Sequence, residues 1–201
     1  MITTRPRWRA AAVALSLAAA LATTAATPAA PAAPAAGAAA PVCPQFADPL
    51  KAAADRRVDV DRITPQPVWR KTCGTLYRAD TRGPATVFEQ GFYPKDVVAG
   101  QYDIENHVLA DQPSPYVSTT YDHDLYKTSG TSGFHYYIDA PGGVDVDKTI
   151  GDTHRRAGQA EVAFPGGIAR QYVIGVCPVD TRTRTEVMSE CVSNPNYEPW
   201  H

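Results

Sequence analysis

Beyond its N-terminal residues the chain has no apolar run approaching the roughly 20 residues that cross a bilayer. No internal repeat is visible, which removes solenoid and propeller arrays. There is no Gly-x-Gly-x-x-Gly and no βαβ rhythm, so a Rossmann nucleotide site is not supported. Cysteine is scarce, with four in 201 residues. Their spacing fits neither a zinc ribbon nor a Cys-x-x-Cys redox pair, so no metal is expected. Ala-Pro-Val precedes Cys43. That lacks the leucine-led small-residue box of a bacterial lipoprotein, so no lipid anchor is expected there. Charge of one sign is also lacking, the formal net charge being −2. Without Arg5, Arg7 and Arg9, 16 basic residues face 21 acidic ones, a charge of −5. Such a chain is a poor candidate for tight binding to nucleic acid through phosphates alone. Nucleic acid remains open to it as a transient substrate.

Those three arginines open a charged, apolar, small-residue series: a short apolar run at 10–21, then small residues to Ala26. This is the order of a secretory signal peptide, assigned to 1–26. Residues 27–42 are almost only Ala, Pro and Thr, and read as a linker. Residues 43–201, about 160, suit one domain with one core. In an exported chain an even cysteine count suggests disulfides, and four cysteines allow three pairings. The local pairings Cys43–Cys73 and Cys177–Cys191 are expected because each closes a short loop. Each would contribute about 2–4 kcal/mol.

Within the domain, Asp48 and Pro49 suggest a short helix over 49–57, and 63–69 reads as extended. Residues 74–80 read as a strand. Pro84 starts a helix that Gly91 ends. A second short helix at 102–109 would carry Asn106 and His107 near the site. Strands are expected at 116–120, 134–140 and briefly 144–146, with a polar, flexible loop at 121–133 and another at 151–158. The run from Gly158 to Phe164 reads as a strand. Strand alternation would then put Gln159 and Glu161 on one face and Val162 and Phe164 on the other. A strand at 172–176 pairs with 184–188 through a turn at Asp180-Thr181. About seven short strands with few helices indicate an α+β domain with a split or sandwich-like antiparallel core.

Three polar features fall on separate strands: Arg78, the Ser118-Thr119-Thr120 run, and the Gln159/Glu161 pair. Strands of one sheet can bring them to one cleft. Arginine grips phosphate in a planar, two-pronged contact. A carboxylate stabilises a developing oxocarbenium, as in glycosidases. The set suits cleavage at a sugar's anomeric carbon beside a phosphate.

The segment Leu76-Tyr77-Arg78-Ala79-Asp80-Thr81-Arg82-Gly83-Pro84 resembles the opening motif of cholera- and pertussis-type ADP-ribosylating toxins. Tyr116-Val117-Ser118-Thr119-Thr120 resembles their Ser-Thr-Ser segment, with Thr120 in place of the last serine. Gln159-Ala160-Glu161-Val162, followed by Gly166-Gly167-Ile168, resembles their catalytic strand. Order and approximate spacing agree for all three. Gln-x-Glu in place of Glu-x-Glu resembles the pierisin-like group, which modifies guanine. Gln-x-Glu also occurs in toxins that modify asparagine, but those lack the Tyr-Arg-Ala-Asp opening.

The resemblance implies a split antiparallel β-sandwich of the ADP-ribosyltransferase type and a secreted mono-ADP-ribosyltransferase acting as a monomer. It implies NAD as co-substrate, a guanine-containing acceptor and no need for metal. Arg78, with Ala79 and Asp80 of its motif, would hold NAD through its phosphates. Ser118 would support the NAD pocket and orient Glu161, with Thr119 and Thr120 shaping the wall. Glu161 would bond the nicotinamide-ribose hydroxyl and stabilise the oxocarbenium as nicotinamide leaves. Gln159 would position the acceptor, since an amide both donates and accepts at a base edge. His154, Arg155 and Arg156 would meet the acceptor. Tyr121 or Tyr126 would stack on a ring. Competing readings are transfer to a protein side chain, plain NAD hydrolysis, or a disulfide-stapled binding or inhibitor module.

Overall fold

The computed structural model describes residues 43–44, 47–110, 112–128 and 133–201. The signal-peptide and linker assignments, and part of the 121–133 loop, lie outside the described residues. Both expected disulfides are formed, Cys43–Cys73 and Cys177–Cys191.

The elements run β1 (Leu76–Asp80), α1 (Pro84–Gln90), α2 (Ile104–Ala110), β2 (Tyr116–Thr120), β3 (Phe134–Ile138), β4 (Val144–Asp145), α3 (Val146–Ile150), β5 (Glu161–Pro165), β6 (Val173–Asp180), β7 (Thr185–Glu186) and β8 (Val192–Ser193). The sheet order is β4-β5-β2-β1-β3-β6-β7, with β8 also on β6, and every pairing is antiparallel. β1 and β3 match over five residue pairs, as do β2 and β5. β1 and β2 meet at the single pair Tyr77↔Thr120. The sheet is therefore split there into two halves, and the strand ends at the split are free to line a cleft.

Two apolar clusters hold the halves. Leu76, Val117, Tyr136, Ile138, Val162 and Phe164, drawn from both halves, pack in one cluster. Tyr116, Val144 and Ala163 pack on the outer side of β2, β4 and β5 with Ile104 and Val108 of α2 and Val146 of α3. Consecutive residues of β5 thus feed different cores, and all five are buried. The same double cover buries Thr119 and Thr120, so the hydroxyl-rich strand is not a solvated face.

Several elements follow local chemistry. Gly83, at the cap, leads Pro84 into the first turn of α1, and Gly91 ends it with φ 79°. Asp103 caps α2 by accepting from the Asn106 backbone N–H at 2.8 Å. After Gly91, Phe92 and Ile168 exchange backbone hydrogen bonds of 2.7 and 2.8 Å. Gly167, at φ 77°, allows this approach: a Cβ there would stand 2.0 Å from the Phe92 carbonyl oxygen. Phe92 is thereby fixed beneath the strand that carries Arg78.

Elsewhere tertiary contacts override the local reading. Residues 49–57 form turns, not a helix. Asp48 caps a turn, accepting from Leu50 N at 2.9 Å and from Arg56 at 2.8 Å. Ala52 and Leu50 belong to different cores. The segment's backbone is also spent on neighbours, Asp55 N–H to the Gly166 carbonyl at 2.9 Å and Ala169 N–H to Ala52 at 2.7 Å. After β4 the chain turns into α3, whose first residue, Val146, the sequence reading gave to the strand and whose remainder it placed in no element. Asp145 caps it by accepting from Lys148 N. The 121–133 loop contains a 3-10 turn, His123–Lys127, capped by Asp122.

The largest correction falls on the Gln159/Glu161 stretch. The strand begins at Glu161, and Gln159 closes a 3-10 turn, Ala157–Gln159. Ala160 between them is left-handed, with φ 46° and ψ 50°. Strand alternation therefore does not relate the two side chains. Two bonds hold the kink: Thr120 Oγ1 donates to the Gln159 carbonyl at 2.5 Å, and Tyr121 N–H to the Ala160 carbonyl at 3.2 Å. A left-handed alanine costs about 1 kcal/mol or more, and such strain collects at working sites.

Candidate active site

At the split lies a cleft of about 590 Å³ including its open mouth. Arg78 and Ala79 of β1, Ser118, Thr119 and Thr120 of β2, and Gln159 and Glu161 all line it. A second cleft of about 800 Å³ shares Arg78 and Ser118 and adds Arg82, Lys95, Tyr93 and His107. The two open on either side of the Arg78–Ser118 contact.

Arg78 spans the gap between the half-sheets. Its Nη1 donates to the Ser118 carbonyl at 2.7 Å, where the β1–β2 ladder is open. Its Nε donates to Asp80 Oδ2 at 3.0 Å, and Nη2 makes an ion pair with the same oxygen. The Phe92 ring centroid lies 5.4 Å from its guanidinium carbon and 5.2 Å from that of Arg82. Burial pulls the Arg78 guanidinium below its usual value, and the Asp80 charge opposes that pull.

Asp80 also accepts from Arg82 Nε at 2.9 Å and Nη2 at 2.7 Å. Burial disfavours its charge, but the hydrogen bonds from Arg82 and the charge of Arg78 outweigh it and hold the carboxyl at about 2. A carboxyl lowered from an ordinary value near 3.9 stabilises the fold above that pH, and the contribution vanishes as pH falls towards the folded value. For this buried side chain the contribution is about 2 kcal/mol. Urea unfolding is thus expected to show an Asp80→Asn deficit that is full above pH 5 and shrinks between about pH 4 and pH 2. A deficit independent of pH would contradict this origin.

Glu161 is 7 % exposed. Its Oε1 is buried without a hydrogen-bond partner among the described residues, and His107 Nε2 stands 3.6 Å away. Burial again opposes the charge, but His107 and Ser118 beside it, and Arg156 farther off, hold the carboxyl below its ordinary range. His107 is fixed by two hydroxyls, Ser114 Oγ at 2.7 Å from Nδ1 and Ser118 Oγ at 3.1 Å from Nε2. Ser118 thus bridges His107 and the Arg78 contact. The arrangement is an ionised carboxylate, desolvated and under-bonded, in a cleft with a guanidinium at its edge. It can accept a hydroxyl proton in a hydrogen bond and stabilise positive charge nearby.

The remaining sequence candidates divide. Thr119 Oγ1 donates to the Val162 carbonyl at 2.9 Å, so one threonine hydroxyl holds the β5 backbone and the other the turn that leads into it. Tyr126 and Arg156 line the cleft. Tyr121 does not: its hydroxyl is bound to Thr72 at 2.8 Å and to the buried Arg70 at 3.1 Å. Asn106, His154 and Arg155 are also absent from the cleft lining. His154 pairs with Asp147 at 3.0 Å, and Arg155 donates to the Leu109 carbonyl. Tyr77, Leu125 and His135 line the cleft without having been singled out. A register pairing Ala79 with His135 puts the histidine beside Tyr77, a relation that no local pattern encodes.

Comparison with known proteins agrees with this geometry. A family model described as Scabin-like matches residues 76–197. A guanine-specific ADP-ribosyl transferase of Streptomyces coelicolor is 72% identical over 161 residues, covering 80% of this chain and 79% of that protein. Pierisin of Pieris brassicae is 36% identical over 110 residues, 49% of this chain but 13% of pierisin. The structure of Scabin toxin from Streptomyces scabies in complex with NADH is 76% identical, with a TM-score of 0.80, covering 82% of this chain and 99% of that one.

Proposed function

The chain belongs to the Scabin-like family, and on that premise we propose that it is an NAD-dependent mono-ADP-ribosyltransferase whose acceptor is guanine. The observation that carries this reading is the buried Glu161 Oε1, left without a partner in a cleft edged by Arg78 and Ser118. A ribose hydroxyl satisfies that atom, and a dinucleotide fits two clefts joined at a guanidinium. The relatives support both substrates: one is named guanine-specific, and the Scabin structure holds NADH.

NAD supplies an ADP-ribosyl group bound to a cationic leaving group, nicotinamide. Arg78 and Arg82, backed by Phe92, hold the phosphates on the cationic side, where Lys95 also stands. Glu161 accepts from the nicotinamide-ribose hydroxyl and stabilises the positive charge that grows at the anomeric carbon. His107 and Ser118 keep that carboxylate ionised and fixed. Tyr126 gives the cleft an aromatic wall. Gln159, aimed by the Ala160 kink, meets the acceptor, with Arg156 beside it. The guanine exocyclic amine then bonds to the anomeric carbon in place of nicotinamide and gives up a proton to solvent. No step calls on a metal.

The domain 43–201 carries every cleft residue in one copy, which supports action as a monomer. Its two disulfides support export to an oxidising compartment, with 1–26 as the signal. No described helix is long and apolar enough to cross a membrane.

The purified domain incubated with NAD and guanosine is expected to release nicotinamide and yield ADP-ribosylated guanosine. Folded protein that releases none, with guanosine, guanine nucleotides and DNA each supplied, would overturn the reading. Gln159→Glu replaces a donor-acceptor amide with an acceptor-only carboxylate. It is expected to lower guanine transfer about 10–100-fold while NAD hydrolysis persists, because a lost edge contact is worth about 1–3 kcal/mol. Undiminished guanine transfer would remove Gln159 from acceptor selection.

A further inference from the structure

We propose that His123, His135 and Glu186 form a binding site for a divalent transition-metal cation, zinc by its ligand chemistry, with His135 on the wall of the cleft that holds Glu161. The three come from the 3-10 turn after β2, from β3 and from β7, and their ligand atoms all lie within 4.8 Å of one another. His135 Nδ1 is 2.9 Å from Glu186 Oε1, and His123 Nε2 is 3.3 Å from Glu186 Oε2. Ligands bound at about 2.0–2.2 Å around a tetrahedral zinc stand roughly 3.3–3.5 Å apart. Two nitrogens and one carboxylate oxygen are the donor set that zinc accepts, leaving one position open to water.

Proton counting argues for a cation. His123 Nδ1 is 2.8 Å from Asp124 Oδ1, which as a carboxylate only accepts, so Nδ1 carries the proton. In the neutral ring Nε2 is then a lone pair, and it faces Glu186 Oε2, a second acceptor. Tyr137 Oη lies 3.1 Å from His123 Nε2 and 2.8 Å from Glu186 Oε1, but its one proton serves only one of them. Three acceptors thus face two donors, the Tyr137 hydroxyl and His135 Nδ1–H. A metal supplies the missing positive centre. It binds lone pairs on His123 Nε2 and His135 Nδ1 once the His135 proton has left that nitrogen, and takes Glu186 as carboxylate.

The surroundings match what metal sites use. A carboxylate on the far nitrogen of a ligating histidine, here Asp124 on His123, fixes tautomer and ring direction. The Tyr126 and Tyr77 rings enclose His135 at 4.4 and 5.5 Å, and His123, 39 % exposed, leaves a route from solvent. A bound cation would tie the turn carrying Leu125 and Tyr126, both lining the Glu161 cleft, to β3 and β7.

The test is zinc chloride titrated calorimetrically into the mature chain, made without a polyhistidine tag and stripped by a chelator that is then removed. One zinc per chain is expected, with a rise of several degrees in melting temperature. His123→Ala and Glu186→Gln are each expected to weaken binding at least tenfold and to abolish most of the rise. Both are melted in chelator to verify folding. If Glu186→Gln does not fold, the partly exposed His123 decides. The proposal is overturned by absence of stoichiometric zinc, by zinc binding equally in both variants and wild type, or by a melting temperature that follows pH but not zinc. The last would assign the missing charge to a proton on His123. None of these readouts depends on transferase activity.

Discussion

Glu161→Gln is expected to lower nicotinamide release about 10²–10³-fold while leaving NAD affinity and fold intact. The substitution keeps shape and one acceptor oxygen but removes the charge. In the ground state the neutral amide still bonds a ribose hydroxyl. In the transition state it offers little to the positive charge on the anomeric carbon, so the loss falls on turnover. The fold should hold. The surroundings keep the Glu161 carboxyl below its ordinary range, so the amide forgoes some stabilisation, while burying a neutral group in place of an under-bonded carboxylate oxygen offsets part of that loss. The variant's melting temperature is therefore expected to stay within about 4 °C of the wild type. Normal turnover, or inactivity accompanied by lost NAD binding and a collapsed melting temperature, would refute the assigned role.

Arg78→Lys is the second large effect, and it strikes both function and fold. The guanidinium reaches Asp80 and the Ser118 carbonyl at once, across the open part of the β1–β2 ladder. A lysine ammonium is a point charge and cannot hold both directions in one plane. Either the Ser118 carbonyl or Asp80 loses a charge-assisted bond, each worth about 1.5–3 kcal/mol. With the split loosened, the two clefts lose their common edge. The second-order rate constant for NAD is expected to fall about 100-fold, from the loss of roughly 2–3 kcal/mol of phosphate and positioning contacts. The melting temperature is expected to fall by several degrees. Unchanged kinetics and melting would mean that Arg78 is a surface residue of no consequence.

What the sequence discloses depends on whether the cause is local. Leu76 to Asp80, Tyr116 to Thr120 and Phe134 to Ile138 are strands because their apolar and polar residues alternate or their β-formers cluster, and the structure has them there. Pro84 and Gly91 mark α1 from the chain alone. The identity of Arg78, Ser118, Gln159 and Glu161 as a set came from three motifs in order, and all four line one cleft. The path from sequence to that cleft was nevertheless wrong in one step. Strand alternation was expected to put Gln159 and Glu161 on one face, whereas a left-handed Ala160 stands between them and both still line the cleft. Nothing about alanine announces such a conformation; Thr120 and Tyr121 of a neighbouring strand and loop impose it. The 49–57 segment looked helical because Asp48-Pro49 is a good cap, yet its backbone partners lie at Gly166 and Ala169. Tyr121 was offered beside Tyr126 as a stacking residue because both are aromatic and follow Thr120, but Arg70, 51 positions earlier, claims its hydroxyl. Ser118 and His107 were read near the site from the chain alone, and they are there; Ser114 and the hydrogen bonds that link the three were not legible, because the strand register and α2 create them.

The most direct test of the account is product analysis by mass spectrometry after incubating wild type and Glu161→Gln with NAD and an equal mixture of guanosine, guanine nucleotides, DNA and proteins. The account predicts that wild type puts ADP-ribose on guanine and not on protein, and that the variant, folded and able to bind NAD, forms almost none. ADP-ribose found on protein side chains, or guanine product formed equally by both enzymes, would contradict it.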